Sequence, residues 1–301
     1  MKQNTLKAEL YFSGIGLHTG LHTDMKVCPA PENSGIRFQR VDVPGQPIIE
    51  ALANYVMNTE RGTVLFRDNV KVSTLEHLMA AFYGMGIDNA LVQLSAPEVP
   101  ILDGSALPYV EAFMSTGIVS QNAERKCKTL KDPIHYSDPL TGTVIDVLPA
   151  ENFELNVTID FNSEILGRQT AVYTSDTSFA TDIAPCRTFV FLHEVLFLYR
   201  NNLVKGGDLD NALVIAEKEV SKSDISLLRQ IFNKPQLAVH KGYLNHLGLR
   251  FSNECARHKT LDMIGDLMLA GTRFNAHISA YKPGHKANIE VAGKIREQMN
   301  L

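Results

Sequence analysis

The sequence has little cysteine, and the four cysteines that it has are scattered. Cys28, Cys127, Cys186 and Cys255 form no CxxC pair, so the pattern favours free thiols in a reducing compartment. We therefore expect a cytoplasmic protein. Cys255 precedes His258 by three residues, but no second cysteine lies nearby to complete a zinc knuckle, and we interpret Cys255 as a packed thiol.

Long apolar stretches are also missing. No stretch approaches the roughly 20 apolar residues that a membrane-spanning helix needs, and the richest run, 189–199, is interrupted by His193 and Glu194. The N-terminal sequence MKQNTLKAELYF has neither the apolar core nor the cleavage site of a secretory signal. The sequence therefore predicts no transmembrane segment and no secretion.

Positive charge is not in excess either. The net charge is −4 at pH 7, which argues against a nucleic-acid-binding protein, although a local basic patch for one phosphorylated ligand is compatible with it. Hydrophobic residues make up 45% and charged residues 21% of the 301 residues. These values are typical of a globular protein with one large domain or two ordinary ones.

Strand and helix patterns recur in both halves of the sequence, without the strict alternation of parallel α/β proteins. We therefore predict an α+β fold, although no internal sequence repeat is visible. The expected strands are 7–13, 22–28, 64–66, 70–72, 90–94, 143–148, 153–161 and 169–174, and the expected helices begin near residues 75, 106 and 258.

A polar and charged stretch, SQNAERKCKTLK at residues 120–131, predicts a linker between two domains. The expected domains are an N-terminal α+β domain, 1–122, with Glu76 and His77, and a C-terminal α+β domain, 128–301, with His258, Asp262 and His285.

The most informative helical segment runs from Arg257 to Leu267. On a helix that turns by about 100° per residue, His258, Asp262 and Asp266 drift by only about 80° over two turns and project to one side. Imidazole and carboxylate groups four residues apart can bind one zinc ion. The HxxxD pattern alone is more often a solvated face with an ordinary His–Asp pair, and a site needs a third ligand from elsewhere.

The sequence STLEH at residues 73–77 can supply that ligand. Ser73 and Glu76 have the spacing of a helix capping box, which explains both residues but not His77. Glu76 and His77 point about 100° apart around a helix. This suits a division of labour in which His77 binds a metal and Glu76 stays free to take a proton from water.

The other histidines carry weaker signals. His285 follows a Lys-Pro-Gly turn, which alone indicates only a surface loop. His18 lies in the glycine-rich turn 14–20, and the spacing does not decide between fixing that turn and contacting a ligand. No role is assigned to the remaining histidines, His22, His135, His193, His240, His246 and His277.

Six segments together resemble the family of UDP-3-O-acyl-N-acetylglucosamine deacetylases. Each is weak alone, but they occur in the family's order and span nearly the whole chain. They are GIGLHTG at 14–20, STLEH at 73–77, ILDGS at 101–105, RTF at 187–189, HKTLDMIGD at 258–266 and GH at 284–285.

The resemblance implies a fold of two similar domains, each with helices layered against a β-sheet, and an active site between them. It implies zinc-dependent hydrolysis of the N-acetyl group of UDP-3-O-acyl-N-acetylglucosamine, which yields UDP-3-O-acyl-glucosamine and acetate in lipid A biosynthesis. Imidazole and carboxylate ligands also accept Fe²⁺. Some family members are fused to a C-terminal dehydratase, so a longer native chain is compatible with the resemblance.

The resemblance also implies a role for individual residues. The metal ligands are His77, His258 and Asp262, with water in a fourth position, and Glu76 is the general base. The other implied roles are Thr188 as a hydroxyl donor to the oxyanion, His285 as the acid for the leaving amine, Asp266 as the residue that orients His285, and Lys259 and Phe189 as neighbours of the sugar nucleotide. We expect the chain to depart from the pattern near 216–247, where a charged helical stretch, 217–232, is extra.

The substrate of the family carries a long acyl chain, and the sequence after Thr188 offers an apolar passage for it. An ordinary core helix explains the same pattern, because buried helices are apolar on all sides. The residues concerned are Phe189, Phe191, Leu192, Val195, Leu196, Phe197 and Leu198, of which Phe189, Phe191 and Leu196 are the predicted substrate contacts.

Two other functions remain open at this stage. The first is another zinc hydrolase that cleaves amides, such as a peptidase. The HExxH type of peptidase is disfavoured, because no second histidine follows Glu76 and His77 on the same helix. A non-enzymatic module that binds a UDP-sugar or a lipid, with a structural zinc, is the second. Structural zinc sites usually close with four protein ligands and are rich in cysteine, unlike the set found here.

Overall fold

The structure is a computed structural model that describes residues 1–200, 205–218, 220–244 and 248–301, with the side chains of Leu198 and Tyr199 left out. Helices and several mixed β-sheets make up the described residues, which confirms the α+β class. Two larger sheets and the helices packed on them form most of the molecule.

The strands of the described residues are, in chain order, β1 (Lys2–Leu6), β2 (Leu10–Ile15), β3 (His22–Pro29), β4 (Ile36–Arg40), β5 (Ile48–Glu50), β6 (Val56–Asn58), β7 (Val64–Arg67), β8 (Val70–Ser73), β9 (Ala90–Leu94), β10 (Ile118–Glu124), β11 (Cys127–Thr129), β12 (Ile134–Asp138), β13 (Thr143–Pro149), β14 (Phe153–Asp160), β15 (Arg168–Tyr173), β16 (Phe189–Phe191), β17 (Leu213–Ile215), β18 (Val239–His240), β19 (Tyr243–Leu244) and β20 (Arg273–Tyr281). The α-helices are α1 (Glu76–Gly84), α2 (Leu107–Thr116), α3 (Leu192–Arg200), α4 (Lys222–Ile231), α5 (Glu254–Met268) and α6 (His285–Gln298).

The two larger sheets repeat one topology. The strand order is β2-β3-β9-β4-β5 in the first sheet and β12-β13-β20-β14-β15 along the path of the second. In both, the last strand in sequence lies in the centre, antiparallel to the second strand and parallel to the third. The chain therefore contains the same α+β unit twice, which confirms the two similar halves that the family resemblance implies.

The helices follow the same repetition. In each unit one helix precedes the central strand, α1 before β9 and α5 before β20, and one follows it, α2 and α6. Both α1 and α5 are apolar or buried on nearly every side, which is typical of helices enclosed between layers. The two helices pack against each other, so the main hydrophobic core runs continuously from one unit to the other.

Gly265 allows α1 and α5 to cross closely. A Cβ atom added at this position would overlap the carbonyl oxygen of Glu76 and lie 3.1 Å from the backbone nitrogen of Ala80. Both of these atoms belong to the backbone of α1, which cannot rotate away as a side chain can. The spacing of the two helices therefore depends on the missing side chain at residue 265.

Smaller elements surround this frame. Strands β6, β7 and β8 form a three-stranded sheet. Strands β7 and β8, which match the expected strands 64–66 and 70–72, form a hairpin with Asp68 and Asn69 in left-handed conformations at its two-residue turn. Strands β16 to β19 form a small sheet. A separate apolar cluster lies beside that sheet and includes Leu192 and Val195 of α3 and Leu228 of α4.

The predicted linker at 120–131 is wrong, because most of these residues lie in strands. Strand β10 pairs with β1, and β11 pairs with β20, so the polar side chains of this stretch belong to exposed strands. The chain passes from one unit to the other near residues 125 and 126. The proposed boundaries at 122 and 128 stay a prediction.

Other expected elements form with small shifts. Strand β9 occupies the expected residues 90–94, and β13, β14 and β15 lie within one residue of their expected ends. Strand β2 begins three residues later than expected. Within the described parts of the chain, no helix combines the length and apolar character needed to cross a membrane.

The helix crossing yields the first prediction. Gly265→Ala should lower the free energy of unfolding by about 1–3 kcal/mol, the usual cost of overpacking a core, as measured by urea denaturation. Gly293→Ala is the matched control, since Gly293 lies inside α6 with open space around its Cβ position. That change should be neutral or stabilising by about 0.5–1 kcal/mol. Equal stability of the two variants would contradict the close crossing.

Candidate metal centre

Three buried side chains from α1 and α5 meet where the two helices pack together. His77 lies on α1, and His258 and Asp262 lie one turn apart on α5. The imidazole Nε2 atoms of His77 and His258 are each 3.4 Å from Oδ1 of Asp262. Among the described residues, this is the one group of three or more such side chains whose ligand atoms lie within 4.8 Å of one another.

The backbone fixes the tautomer of His258. Its Nδ1–H group donates to the carbonyl oxygen of Cys186 at 3.0 Å, which leaves the lone pair of Nε2 directed towards the other two side chains. Burial lowers the pKa of His258 to about 3, so the ring is neutral at pH 7. A neutral imidazole with a free Nε2 lone pair is the form that binds metals.

The two oxygens of Asp262 have different surroundings. Oδ2 accepts a hydrogen bond from Lys259 Nζ at 2.7 Å. Oδ1 is fully buried and has no hydrogen-bond partner, although it faces both imidazoles. Burial opposes the ionisation of Asp262, but contact with His258 and Lys259 outweighs it and holds the pKa of Asp262 well below its usual range.

An unpartnered, buried carboxylate oxygen between two imidazole nitrogens is costly by itself. The cost disappears when a cation accepts the three lone pairs, so the donor set suits a divalent metal ion. Two nitrogens and one oxygen match the ligand types of zinc in sites that keep an open position. His77, His258 and Asp262 are therefore the residues that would hold such an ion.

Glu76 begins α1 beside this cluster. The predicted capping box is wrong, because Ser73 ends β8 and donates its hydroxyl proton to the carbonyl of Pro97, and no side chain caps α1. Instead, Glu76 Oε2 accepts the backbone N–H of Thr63 at 3.1 Å. Burial raises the pKa of Glu76 above its usual value. The carboxylate is thus held by one amide and has a stronger affinity for protons than in water.

His285 faces Glu76 from the first residue of α6. Its Nε2 atom is 3.9 Å from Glu76 Oε1 and 4.0 Å from Asp262 Oδ2, while Nδ1 donates to Asp266 Oδ2 at 2.9 Å. Burial opposes protonation of the ring, but the Asp266 carboxylate outweighs it and raises the pKa of His285 to about 9. The structure thus brings together Asp266 and His285 as the family pattern implies.

Glu98 fixes the glycine-rich turn next to the site. This fully buried carboxylate accepts the backbone N–H groups of His18 and Thr19 and the hydroxyls of Thr19 and Thr74. Burial opposes its ionisation, but these hydrogen bonds outweigh it and lower the pKa of Glu98. Thr74 holds a left-handed φ of 58°, which a β-branched residue adopts only when its surroundings impose it.

The side chain of His18 does not hold this turn. Its ring Nε2 lies 3.0 Å from the carbonyl oxygen of Arg61, across the cavity in front of the cluster. The backbone of His18, through Glu98, fixes the turn. The sequence left two roles open for His18, fixing the turn and contacting a ligand. The geometry assigns the first role to Glu98, and the imidazole of His18 lies in the cavity wall.

A cavity of about 280 Å³ opens in front of the cluster. Most of the predicted residues that line it belong to the six family segments, and one belongs to the apolar stretch after Thr188. They are His18, Glu76, His77, Thr188, Phe189, Val195, His258, Lys259, Asp262 and His285. Sequence reasoning missed other lining residues, among them Leu17, Arg61, Thr74, Lys205, Asp208, Ala212, Val214 and Phe232.

Two predicted substrate contacts do not line this cavity. The ring of Phe191 packs against Phe161 and His193, and Leu196 packs against the apolar cluster of the small sheet. Helix α3 therefore behaves mainly as the ordinary core helix that its pattern also allowed. Phe197 is 58% exposed, and the side chain of Leu198 lies outside the described residues.

Most of the remaining histidines pair with acidic side chains elsewhere. His22, His135, His193 and His277 lie near Asp24, Asp146, Glu217 and Glu154, respectively. His240 lies in β18, and His246 lies outside the described residues. Cys255 is buried, free and packed in the main core, which confirms its interpretation as a packed thiol.

Comparison with known proteins agrees with the geometry. The family model for UDP-3-O-acyl N-acetylglycosamine deacetylases matches residues 3–230 and 234–297. The chain belongs to this family. The match includes all of the segment 216–247 except residues 231–233, so it does not support the extra segment expected there.

Several relatives are similar over nearly the whole chain. A "bifunctional enzyme LpxC/FabZ" of Bacteroides thetaiotaomicron is 46% identical over 100% of this chain and 66% of its own length. UDP-3-O-acyl-N-acetylglucosamine deacetylases of Saccharophagus degradans and Trichormus variabilis are 41% and 38% identical, over 96% and 98% of this chain and 88% and 98% of their own lengths. The chain thus spans just under two thirds of its bifunctional relatives.

The donor set yields the second prediction. His258→Ala should remove bound metal from the purified protein, because it leaves one imidazole and one carboxylate, too few to hold an ion tightly. Metal content is measured by mass spectrometry after loading with Zn²⁺ and gel filtration. His277→Ala is the control, since His277 lies on the outer face of the second sheet and pairs with Glu154. Full metal occupancy in the His258 variant would exclude this site.

Proposed function

We propose that this chain hydrolyses the N-acetyl group of UDP-3-O-acyl-N-acetylglucosamine, yielding UDP-3-O-acyl-glucosamine and acetate in lipid A biosynthesis. One observation carries the proposal: a buried His-His-Asp cluster stands beside a carboxylate that is not part of it, Glu76, at the end of a cavity. Family membership supports the substrate, because relatives that match over most of their length bear this name.

The proposed metal is zinc, with Fe²⁺ as an alternative that the same ligands accept. A divalent ion bound by His77, His258 and Asp262 would supply an acidified water and a positive charge for the oxyanion. Lys259 has a further part in this proposal, because its ammonium group neutralises the Asp262 oxygen that faces away from the two imidazoles.

Glu76 is the proposed general base. Its Oε2 atom is held by the Thr63 amide, and Oε1 faces His285 across 3.9 Å. The raised pKa of Glu76 strengthens it as a base for the attacking water. Because Glu76 is not one of the three candidate ligands, its charge remains available for the proton.

His285 is the proposed acid. With a pKa near 9 it carries a proton at neutral pH, and Nδ1 is occupied by Asp266, so Nε2 is the nitrogen that delivers it to the leaving amine. Both pKa values are raised, that of Glu76 by burial and that of His285 by the neighbouring carboxylate. A base and an acid whose surroundings tune their pKa values in this way are typical of acid–base catalysis. Thr188, in the cavity wall, is the proposed hydroxyl donor to the oxyanion.

The cavity suits an amphipathic substrate. Its wall contains three cationic side chains, Arg61, Lys205 and Lys259, and an apolar part formed by Val190, Val195, Ala212, Val214 and Phe232. We propose that the cations and Phe189 contact the sugar nucleotide and that the apolar part receives the acyl chain. This replaces the passage along Phe191 and Leu196, which lie elsewhere.

The wider setting also remains a proposal. Four free cysteines support a cytoplasmic location. The bifunctional relatives support fusion to a dehydratase in a longer native chain. Domains at 1–122 and 128–301 are supported by the repeated sheet topology. A zinc peptidase and a binding module with structural zinc are less well supported, because the cluster has three nitrogen and oxygen donors and an uninvolved carboxylate.

Acetate release tests the activity and gives the third prediction. The wild-type protein should release acetate from acyl-UDP-N-acetylglucosamine, and Glu76→Gln should keep its metal while kcat falls by roughly 10²–10⁴, the usual contribution of a general base. Glu194→Gln is the control, since Glu194 is a carboxylate of the same cavity outside the cluster. A Glu76→Gln variant with near-normal kcat would exclude Glu76 as the base.

The acyl site gives the fourth prediction. Each buried methylene contributes about 0.8 kcal/mol, so shortening the acyl chain should lower kcat/KM steeply. Ala212→Phe should flatten that dependence, because the ring fills the apolar part of the cavity. Leu196→Gln is the comparison variant, and it should keep the dependence, since Leu196 lies outside the cavity. A substrate without an acyl chain that reacts as well as the full one would contradict the proposal.

A further inference from the structure

We propose that Thr63 is a positioning residue that sets the base and the acid of the site relative to each other. The inference rests on the proposed function, in which Glu76 is the base and His285 the acid. Thr63 lies outside the six segments that carry the family resemblance, directly before β7. Its side chain is fully buried and does not line the cavity in front of the metal cluster, so it is a partner of the reacting groups and does not itself touch substrate.

One residue contacts both halves of the acid–base pair. The backbone N–H of Thr63 donates to Oε2 of Glu76 at 3.1 Å, and its hydroxyl donates to Oδ1 of Asp266 at 2.6 Å. A carboxylate only accepts, so the hydroxyl proton must point to Asp266. Glu76 comes from the first repeated unit and Asp266 from the second. Thr63 therefore joins the two units at the level of their reacting groups.

Asp266 depends on this hydroxyl for its orientation. The carboxylate is fully buried, and Oδ2 accepts from His285 Nδ1 and from Asn288 Nδ2, both at 2.9 Å. Oδ1 accepts from Thr63. Asn288 and Thr63 are neutral donors, one on each oxygen, so they hold the carboxylate in place without cancelling the charge that faces His285. Without the hydroxyl, Oδ1 loses that donor, and the carboxylate can turn away from the position that aligns His285.

The backbone of Thr63 is itself fixed. Its carbonyl accepts the N–H of Thr74 at 3.0 Å, and Thr74 is held in its left-handed conformation by Glu98. Gly62, just before Thr63, approaches the Glu76 carboxylate so closely that a Cβ atom would lie 3.0 Å from Oε1. The backbone of Thr63 is thus held by Thr74 at its carbonyl and by Glu76 at its N–H group.

Substitution separates the hydroxyl from the packing of the side chain. Thr63→Val keeps the shape and the backbone N–H but removes the donor to Asp266, and Thr63→Ser keeps the donor. Loss of a hydrogen bond to a charged group typically changes an equilibrium or rate constant by a factor of about 10 to 100. We expect kcat to fall by that factor in the valine variant with little change in KM, and to stay within about threefold of wild type in the serine variant. Thr143→Val is the matched control, because its buried hydroxyl binds the carbonyl of Lys282.

A double-mutant cycle identifies the route of the effect. If the hydroxyl acts through Asp266 and His285, Thr63→Val should change kcat by less than about threefold when His285 is already alanine. The full effect should persist in the Glu76→Gln background, because the N–H donor to residue 76 is unchanged. A full effect in the His285→Ala background, or equal losses in the valine and serine variants, would overturn the proposal.

A spectroscopic readout keeps this inference independent of the activity. In metal-free protein with ¹⁵N-labelled histidine, the Nδ1 proton of His285 should resonate at low field because Asp266 accepts it, with His285→Ala providing the assignment. Thr63→Val should shift or broaden this resonance, and Thr63→Ser and Thr143→Val should leave it in place. An inactive wild type with the expected shift would contradict the deacetylase function alone. An unshifted resonance in the valine variant would contradict the role of Thr63.

Discussion

The close crossing of α1 and α5 is the constraint on which the site depends. Gly265 has no side chain where the backbone of α1 passes over α5. This contact brings His77 on one helix to within reach of His258 and Asp262 on the other. It also places Glu76, the first residue of α1, opposite α6. A wider crossing would separate donors that a single ion must bind at about 2 Å.

Burial then determines the charge states of the site. The same low-polarity surroundings keep the imidazole of His258 neutral, strengthen the proton affinity of Glu76, and make a lone carboxylate oxygen of Asp262 costly. What differs between neighbouring groups is the partner. Asp262 lies near both rings, but His258 donates to a carbonyl and burial lowers its pKa to about 3, whereas His285 donates to the Asp266 carboxylate, which raises its pKa to about 9. These charge states suit the proposed roles, His258 as a metal ligand and His285 as an acid.

The sequence predicted the parts of the site that depend on local spacing. His258 and Asp262 share a helix, and their common face follows from helical geometry alone. The residue types offered His77 as a third ligand, but only the family resemblance joined it to this pair, because no local pattern reports which helices cross. Two residues were missed: Thr63, which contacts Glu76 and Asp266, and Glu98, which holds the glycine-rich turn. A threonine or glutamate in a loop carries no signal of what it will contact.

The errors have related physical causes. Residues 120–131 looked like a linker because exposed edge strands are polar, and their pairing with β1 and β20 involves residues distant in sequence. The capping-box spacing at Ser73 was satisfied by chance, since β8 continues to that residue. The repeated topology leaves no visible repeat in the sequence. Two units can share a strand order when their burial patterns are similar, and many different sequences satisfy the same burial pattern.

The repeat also explains why neither half can hold the site alone. Helices α1 and α5 occupy equivalent places in the two units, each before its central strand, and they pack against each other. Only one of them carries two ligands, and only the second unit supplies Asp266 and His285. A divalent ion held by two neutral imidazoles and one carboxylate would keep a net charge of about +1. The candidate ligand set is complete only where the two units pack together, because His77 lies on α1 and both His258 and Asp262 lie on α5.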